Sequence, residues 1–197
     1  MVKIFGKFVE HNYMSTASAD SEFLMINFSP TSTPLQHRWR NNGLSADFLA
    51  DYLSTFFPGE DDESLNRRSE IKGGVSYIAN ELLENAMKFN YAPINHAVSI
   101  GMELQKDKVL FYVSNCVDPA RSEAFQNQIQ ELLTEDPNEL YMEKLVANEE
   151  NEDTSSSGLG YLTMLNDWNA ILAWKFEDLE DDVEAQKVTV MVQFAFA

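Results

Sequence analysis

Ile78-Ala-Asn-Glu-Leu-Leu-Glu-Asn-Ala-Met-Lys-Phe-Asn90 is the stretch of this chain that decides its fold. Successive residues of an α-helix lie about 100° apart around the axis. On such a helix the apolar side chains of this region share one arc of roughly 80°, which is typical of a face that packs on a core. These side chains are Val75, Ile78, Leu82, Ala86 and Phe89. Glu81, Asn85 and Lys88 form a second stripe about a right angle away. The pattern predicts a helix whose polar edge borders the core, where a cleft would lie.

The same helix also has a plain structural interpretation. Glu84 and Lys88 are spaced i, i+4 in the favourable order, and such a pair stabilises a solvated helix by about 0.2–0.5 kcal/mol. Asn85 would then be a neutral surface residue. The helix alone does not separate a functional edge from an ordinary surface.

Composition and charge limit the classes of protein to be considered. A chain of 197 residues with 44% hydrophobic and 12% aromatic residues is typical of a folded globular protein. Its formal net charge of −18 argues against binding nucleic acid or an anionic membrane through a general basic surface. Local binding of a nucleotide remains compatible with this charge, and a protein partner would present neutral or basic surface.

The cysteine content and the N-terminal residues indicate a compartment. The single cysteine, Cys116, excludes an intramolecular disulfide and fits a reducing environment. The first residues contain no apolar run long enough for a signal peptide, and no stretch approaches the roughly 20 apolar residues of a membrane span. We therefore expect a soluble, cytoplasmic protein.

Periodicity along the chain predicts six strands and several helices. The predicted strands are 3–10, 22–29, 96–104, 109–113, 170–176 and 188–196. The predicted helices are 44–57, a long helix opened by the acidic run 60–63 and containing the featured stretch, 119–133, and 161–168. Loops or turns are predicted at 15–21, 29–34 and 177–184. Ser45 is expected to cap the first helix, and Gly73-Gly74 is expected to interrupt the long one.

The domain organisation follows from these elements. The acidic segment 134–157 contains one predicted short helix at 138–147, and a connection of this length is usually a functional lid or disordered. No repeat or interdomain linker is evident, so residues 1–197 are predicted to form one domain. The expected fold is a two-layer α/β (α+β) sandwich, with helices on one face of a largely antiparallel sheet.

Three motifs occur in a fixed order along the chain. The first is Glu81-x-x-x-Asn85-Ala-x-Lys88, the second is Val113-Ser-Asn-Cys-Val-Asp118 at the end of a central strand, and the third is Ser157-Gly-Leu-Gly160 before a helix. Together they resemble the GHKL (histidine-kinase-like) ATPase superfamily, whose fold is the Bergerat-type ATP-binding fold with a mostly antiparallel mixed sheet. Within it, the size of the chain is most similar to the anti-sigma-factor serine kinases and SiaB-type regulators, which act on small STAS-domain partners.

The resemblance implies a role for each motif. The Asn85 side-chain oxygen would bind Mg²⁺ on the phosphates of ATP, since amide oxygen is a suitable ligand for that cation. Glu81 would be the catalytic residue that accepts a proton from the attacking hydroxyl. Lys88 would reach toward phosphate, and backbone N–H groups of Gly158, Leu159 and Gly160 would hold it. Segment 134–157 would be the ATP lid.

The second motif departs from the pattern of the family. That pattern is D-x-G-x-G, in which the Asp binds the adenine amino group and the glycines let the backbone pass close to the base. Here Asn115 stands at the Asp position, followed by Cys116 and Val117, and no glycine is present. Asn115 or, in a shifted register, Asp118 would have to contact the base.

The leading hypothesis is a cytoplasmic signalling regulator that binds Mg-ATP and phosphorylates Ser or Thr of a STAS-like or sigma-like protein, and a homodimer is compatible with the resemblance. The alternative is a non-catalytic, pseudokinase-type interaction module that sequesters its partner, with weak or no ATP binding. A third hypothesis is an enzyme of an unrelated α/β fold, which would lack a cleft between the Glu81 helix and segment 134–157. The basic-aromatic cluster His37-Arg-Trp-Arg40 is a further candidate for a partner interface, or else a locally packed helix start.

Overall fold

The computed structural model describes residues 1–10, 22–29, 39–150, 158–179 and 185–196. The predicted loop 15–21, most of the turn 29–34 and the end of the acidic segment, 151–157, lie outside the described residues. His37 and Arg38 also lie outside them, as do the side chains of Trp39 and Arg40, so the interface predicted at this cluster remains untested.

Six strands form one sheet in the described part of the chain. They are β1 (Val2–Phe5), β2 (Glu22–Phe28), β3 (Val98–Leu104), β4 (Lys108–Val117), β5 (Ile171–Asp178) and β6 (Gln186–Ala195). Their order across the sheet is β1-β5-β6-β4-β3-β2. All five pairings among these strands are antiparallel, so this part of the sheet contains no parallel pair.

The helices complete a two-layer α+β fold. They are α1 (Trp39–Ser54), α2 (Asp62–Lys88), α3 (Pro119–Thr134), α4 (Pro137–Glu150) and α5 (Gly160–Asn166). The main core lies between the helices and one face of the sheet, where Val75, Ile78 and Leu82 of α2 meet Val113 and Val190. This confirms the predicted fold class and the core-facing stripe of α2 as far as Ala86. The inclusion of Phe89 in that stripe is wrong, because Phe89 is the C-cap residue of α2 and is 42% exposed. Within the described ranges, no helix combines the length and apolar composition needed to cross a membrane.

Strand β4 lies near the middle of the sheet, as its sequence predicts. Phe111 and Val113 belong to the core under the helices, whereas Leu110 and Tyr112 belong to a smaller cluster that also contains Phe8. A strand that is apolar on both faces is therefore covered on both faces. Its predicted end at Val113 is wrong, because β4 continues to Val117 and pairs with β6 along its whole length.

Helix α2 begins where the acidic run predicts and continues without a break. The Ser64 N–H donates to Asp61 Oδ1 at 2.9 Å, which caps the helix. The predicted interruption at Gly73-Gly74 is wrong, since α2 is helical from Asp62 to Lys88. Gly74 instead allows a close contact, because a side chain there would come within 2.9 Å of the Trp168 ring.

Three other boundaries differ from the prediction. Strand β1 ends at Phe5 because Gly6 has a φ of +76° and a side chain there would meet the Leu172 carbonyl oxygen at 2.7 Å. Helix α1 begins at Trp39, so Ser45 lies inside it and does not cap it. The predicted short helix at 138–147 is present as α4, which is longer and occupies much of the acidic segment.

Candidate functional site

The polar edge of α2 lines a cavity of about 430 Å³ between the helices and the sheet. A cavity of this size falls in the range of small-molecule sites. Its polar and charged lining residues are Glu81, Glu84, Asn85, Lys88, Asn115, Asp118, Arg121, Gln128, Lys144 and Tyr161. Its apolar lining residues include Leu82, Ala86, Val113, Val117, Phe125, Leu132, Val188 and Val190. Because Glu81 and Lys144 line the same space, a cleft exists between α2 and segment 134–157, as the first hypothesis requires.

Glu81 is a half-buried carboxylate at the point where α2 meets the start of α5. Burial raises the pKa of Glu81, and the nearby charge of Glu84 raises it further. Gly160 provides the space for this carboxylate, because a side chain at Gly160 would collide with Glu81 Oε2 and come within 3.3 Å of Cδ. The glycine is therefore what allows the carboxylate to lie against the first residue of α5.

Asn85 and Lys88 continue the same edge of α2 toward its C-terminus. The Asn85 carbonyl accepts the N–H of Phe89 at 3.0 Å, whereas its carboxamide forms no hydrogen bond within the described ranges. The Lys88 ammonium lies 5.4 Å from the centre of the Phe89 ring, and no ion pair joins it to Glu84 in the described structure. The described structure therefore lacks the Glu84–Lys88 ion pair that the plain structural interpretation of this helix expects.

The second motif lies on the floor of the cavity, inside β4. Asn115 is 5% exposed, and its Nδ2 donates to the Cys116 carbonyl at 3.0 Å. Val117 is paired with Gln186 of β6, so the backbone here is regular strand and not a glycine turn. Asp118 also lines the cavity, but its Oδ1 accepts the Ala120 N–H at 3.0 Å and caps α3. Asp118 therefore has a structural role that the sequence interpretation did not include.

The glycine pair of the third motif borders the same cavity. Gly158 has a φ of +65°, a conformation that favours glycine, and Gly160 is the first residue of α5. Both line the cavity, whereas Leu159 is absent from its lining. The Leu159 carbonyl accepts the Thr163 N–H at 2.8 Å. Of the eight residues predicted from the sequence, seven are thus brought together around one space.

Two cationic residues of the cavity were not predicted. Arg121 lies in the first turn of α3 and Lys144 near the middle of α4. Lys144 Nζ lies 3.5 Å from the place where a Gly158 side chain would begin. The sequence signals were Pro119, which predicts that a helix starts beside Asp118, and the rarity of a lysine in the acidic segment 134–157.

Tyr161 forms part of the cavity wall beside Glu81. Burial raises the pKa of Tyr161 to about 12, so its hydroxyl remains protonated at neutral pH. Its ring packs edge-on against Trp174 with the ring centres 5.5 Å apart. The contact connects the start of α5 to the core and holds the Glu81 side of the cavity in place.

The oxygen-bearing side chains of the cavity suit a metal ion that binds mainly to a substrate and through few protein atoms. No cluster of three or more histidine, cysteine or acidic side chains that could hold a metal occurs in the described ranges. Mg²⁺ commonly binds through one or two protein oxygens together with substrate phosphates. The carboxamide of Asn85, which has no hydrogen-bond partner among the described residues, and the Glu81 carboxylate one turn away fit that mode of binding.

Comparison with solved structures shows what this fold is similar to. No family model matches the sequence, and no curated protein matches it. The fold is similar to that of a chain in the crystal structure of the SiaB-SiaC complex from Pseudomonas aeruginosa, with a TM-score of 0.56 and 14% sequence identity over 87% of this chain and 89% of that chain. At this identity the likeness shows the fold alone, and the fold is SiaB-like. Membership of the GHKL superfamily remains a prediction from the motifs.

Proposed function

We propose that this chain is a signalling regulator that binds Mg-ATP in the cavity and phosphorylates a serine or threonine of a small STAS-like or sigma-like protein. The observation that carries the proposal is the convergence of Glu81, Asn85 and Lys88 with Gly158 and Gly160 around one cavity. Nucleotide binding needs a polar end for phosphates and an apolar end for the base. This cavity has both kinds of wall.

Each residue has a defined part in the proposed reaction. Glu81 would accept the proton of the attacking hydroxyl, and its raised pKa makes it a better base than an exposed carboxylate. Asn85 would supply an oxygen to Mg²⁺, which when bound would offset the charge of the phosphates. Lys88 and the backbone at Gly158, Leu159 and Gly160 would orient the transferred group.

The partner is proposed from the fold and the charge. The similar structure is that of a complex named for two proteins, SiaB and SiaC, which supports a role for this chain together with another protein. A net charge of −18 favours a partner with neutral or basic surface. A cytoplasmic location and a homodimer belong to the same proposal.

Phosphoryl transfer from labelled ATP to a candidate STAS-like partner tests the proposal. Transfer is expected with the wild-type protein and is expected to fall at least 100-fold in Glu81→Ala. Gly160→Ala should also reduce it, because the new side chain displaces the Glu81 carboxylate without removing it. Glu70→Gln, on the exposed side of α2, is the control for loss of one charge. Transfer that is absent, or unchanged in Glu81→Ala, would reject the kinase.

A second candidate function is a non-catalytic interaction module on the same fold. The observation in its favour is the regular strand at Asn115 and Val117, where the GHKL pattern has D-x-G-x-G. Calorimetric titration with Mg-ATP separates the two candidates. The absence of binding at about 1 mM nucleotide, equivalent to a binding free energy weaker than about −4 kcal/mol, would favour the module.

A further inference from the structure

One outward side of helix α1 is apolar over about three helical turns. Leu44, Phe48, Tyr52 and Phe56 follow one another at intervals of four residues, the last of them in the turn after Ser54. Leu44 is 65% exposed, Phe48 51% and Phe56 39%, while Tyr52 is partly buried. The ring centres of Phe48 and Tyr52 are 6.4 Å apart, and those of Tyr52 and Phe56 are 5.5 Å apart. The four side chains therefore form one continuous patch, which we call the α1 ridge.

The α1 ridge is not the side of α1 that builds the core. The inward side contributes Ala46, Leu49, Ala50 and Leu53, each at most 1% exposed. A surface helix usually presents polar side chains on its outward side. Single exposed apolar residues are ordinary on protein surfaces, but a contiguous patch of them marks an interaction surface. The α1 ridge is therefore a candidate interface.

The charges around the α1 ridge limit what can cover it. The two carboxylates of α1 lie on the side that faces α2, where Asp47 accepts the Ser76 hydroxyl at 3.0 Å and Asp51 pairs with Lys72. The remaining polar residues on the outward side of the described helix are neutral: Asn41, Ser45 and Thr55. A basic partner is attracted by unengaged carboxylates, whereas a second copy of a chain with net charge −18 is repelled least at a neutral surface. This charge pattern favours a second copy.

We propose that the α1 ridge is the surface through which two copies of this chain form a homodimer. In a two-fold symmetric dimer the same patch lies on both sides of the interface, so the patch has to fit itself. A ridge of residues at intervals of four fits into the groove beside the same ridge of another helix. Phe48 and Tyr52, in the middle of the ridge, lie nearest the two-fold axis in this arrangement. The inference rests on the proposed function only in that a homodimer belongs to it.

The size of the α1 ridge determines how strong the dimer should be. An aromatic side chain can bury about 150–250 Å², so each half-exposed ring leaves roughly 100 Å². The ridge then contributes roughly 300–400 Å² per copy, about half of the ~800 Å² per partner in a standard interface. Interfaces of this size belong to weak complexes, and we expect a dissociation constant of about 10–100 µM.

Sedimentation velocity of the full chain, from about 1 µM to about 300 µM, tests the interface. The wild-type protein is expected to change from monomer to dimer over this range. Dimerisation should be stronger in about 500 mM NaCl than in about 50 mM NaCl, because salt screens the repulsion between two acidic copies. Phe48→Gln and Leu44→Gln should each raise the dissociation constant by about tenfold or more, since each removes apolar surface from the ridge. Unfolding midpoints measured at about 1 µM, where the monomer predominates, show whether each variant remains folded.

Met142→Gln is the matched control, because Met142 is 60% exposed on a different helix, α4. Its dissociation constant should equal that of the wild type. A chain that stays monomeric at about 300 µM in about 500 mM NaCl would overturn the proposal and leave the ridge to a different protein. A dimer that salt weakens, or one that all three substitutions affect equally, would overturn it as well.

The outcomes separate this interface from the kinase proposal. A dimer that is lost in Phe48→Gln and Leu44→Gln, in a protein that transfers no phosphoryl group, would support the interface and reject the kinase. Phosphoryl transfer by a chain that is monomeric at every concentration would support the kinase and reject the interface.

Discussion

Glu81 shows how a single glycine makes room for a half-buried carboxylate. Its carboxylate is half buried, has a raised pKa and occupies the space that a side chain at Gly160 would fill. Burying a carboxylate without a hydrogen bond or an ion pair costs stability. A residue kept in such a position is better explained by its chemistry than by its contribution to the fold.

The raised pKa of Glu81 predicts how stability depends on pH. In the folded protein Glu81 keeps its proton to a higher pH than in the unfolded chain. Ionisation of Glu81 therefore lowers stability as the pH rises from the ordinary pKa of 4.5 through the raised pKa of the folded state. Glu81→Gln lacks this titration. We expect the variant to gain stability relative to the wild type across that window and to keep the gain at pH 7, as measured by urea unfolding from about pH 4 to pH 7.

Glu70→Gln is the control for removing a charge from the same helix, since Glu70 is exposed. An advantage of Glu81→Gln that is larger at pH 4 than at pH 7 would contradict the assigned direction of the pKa.

At this scale the sequence predicted the residues that belong to a recognisable spacing or motif and missed two that belong to neither. Glu81, Asn85 and Lys88 follow from helical spacing alone. Arg121 and Lys144 belong to α3 and α4, and their approach to the cavity depends on how the helices pack. No spacing rule relates them to α2.

Strand β4 shows why the predicted ends of elements were less accurate than their order. The predicted strand ended at Val113 because the apolar run ends there and the polar residues Ser114 and Asn115 follow. In the fold, the Ser114 and Thr189 hydroxyls share a hydrogen bond at 2.8 Å and Asn115 bonds to the Cys116 carbonyl. Because β6 and these bonds satisfy the polar groups, the strand continues, and that pairing is not visible in local sequence.

The two adjacent glycines of α2 provide a prediction about the whole element. A side chain at Gly74 would come within 2.9 Å of Trp168 and 3.0 Å of Phe194, whereas one at Gly73 would lie 4.0 Å from Trp168. Gly73→Ala should stabilise the fold by about 0.5–1 kcal/mol through helix propensity. Gly74→Ala should instead destabilise it by about 1–3 kcal/mol through overpacking. Chemical denaturation of the two variants measures both effects.

The two substitutions are chemically identical and one residue apart, so each is the control for the other. Equal effects of the same sign would show that α2 does not pack on Trp168 as described. If α2 were bent or broken at these glycines, both alanines would be expected to perturb it. A stabilising Gly73→Ala would therefore also argue for a continuous helix.

Across the whole molecule, acidic residues outnumber basic ones by 32 to 14, whereas three carboxylates and three cations line the cavity. The net charge of −18 repels an anionic ligand at long range, whereas Lys88, Arg121 and Lys144 attract it at short range. Salt screens both interactions, but it acts most strongly on charges farther apart than the Debye length, which is about 10 Å at 0.1 M. The salt dependence of binding therefore reports which field dominates at the site.

We expect the local cations to dominate, because a bound polyphosphate would contact them directly while most carboxylates lie farther away on the surface. Binding of Mg-ATP should then weaken by roughly three- to tenfold between about 20 mM and about 300 mM salt. Arg121→Gln should bind less tightly and also show a shallower salt dependence, since fewer charges are screened. Lys106→Gln, at the exposed turn before β4, removes the same charge away from the cavity and should follow the wild type. Affinity that rises with salt would mean that the overall negative field governs access. The three cations would then be too weakly placed to hold phosphate, and an acidic surface, not the cavity, would determine which ligands this fold admits.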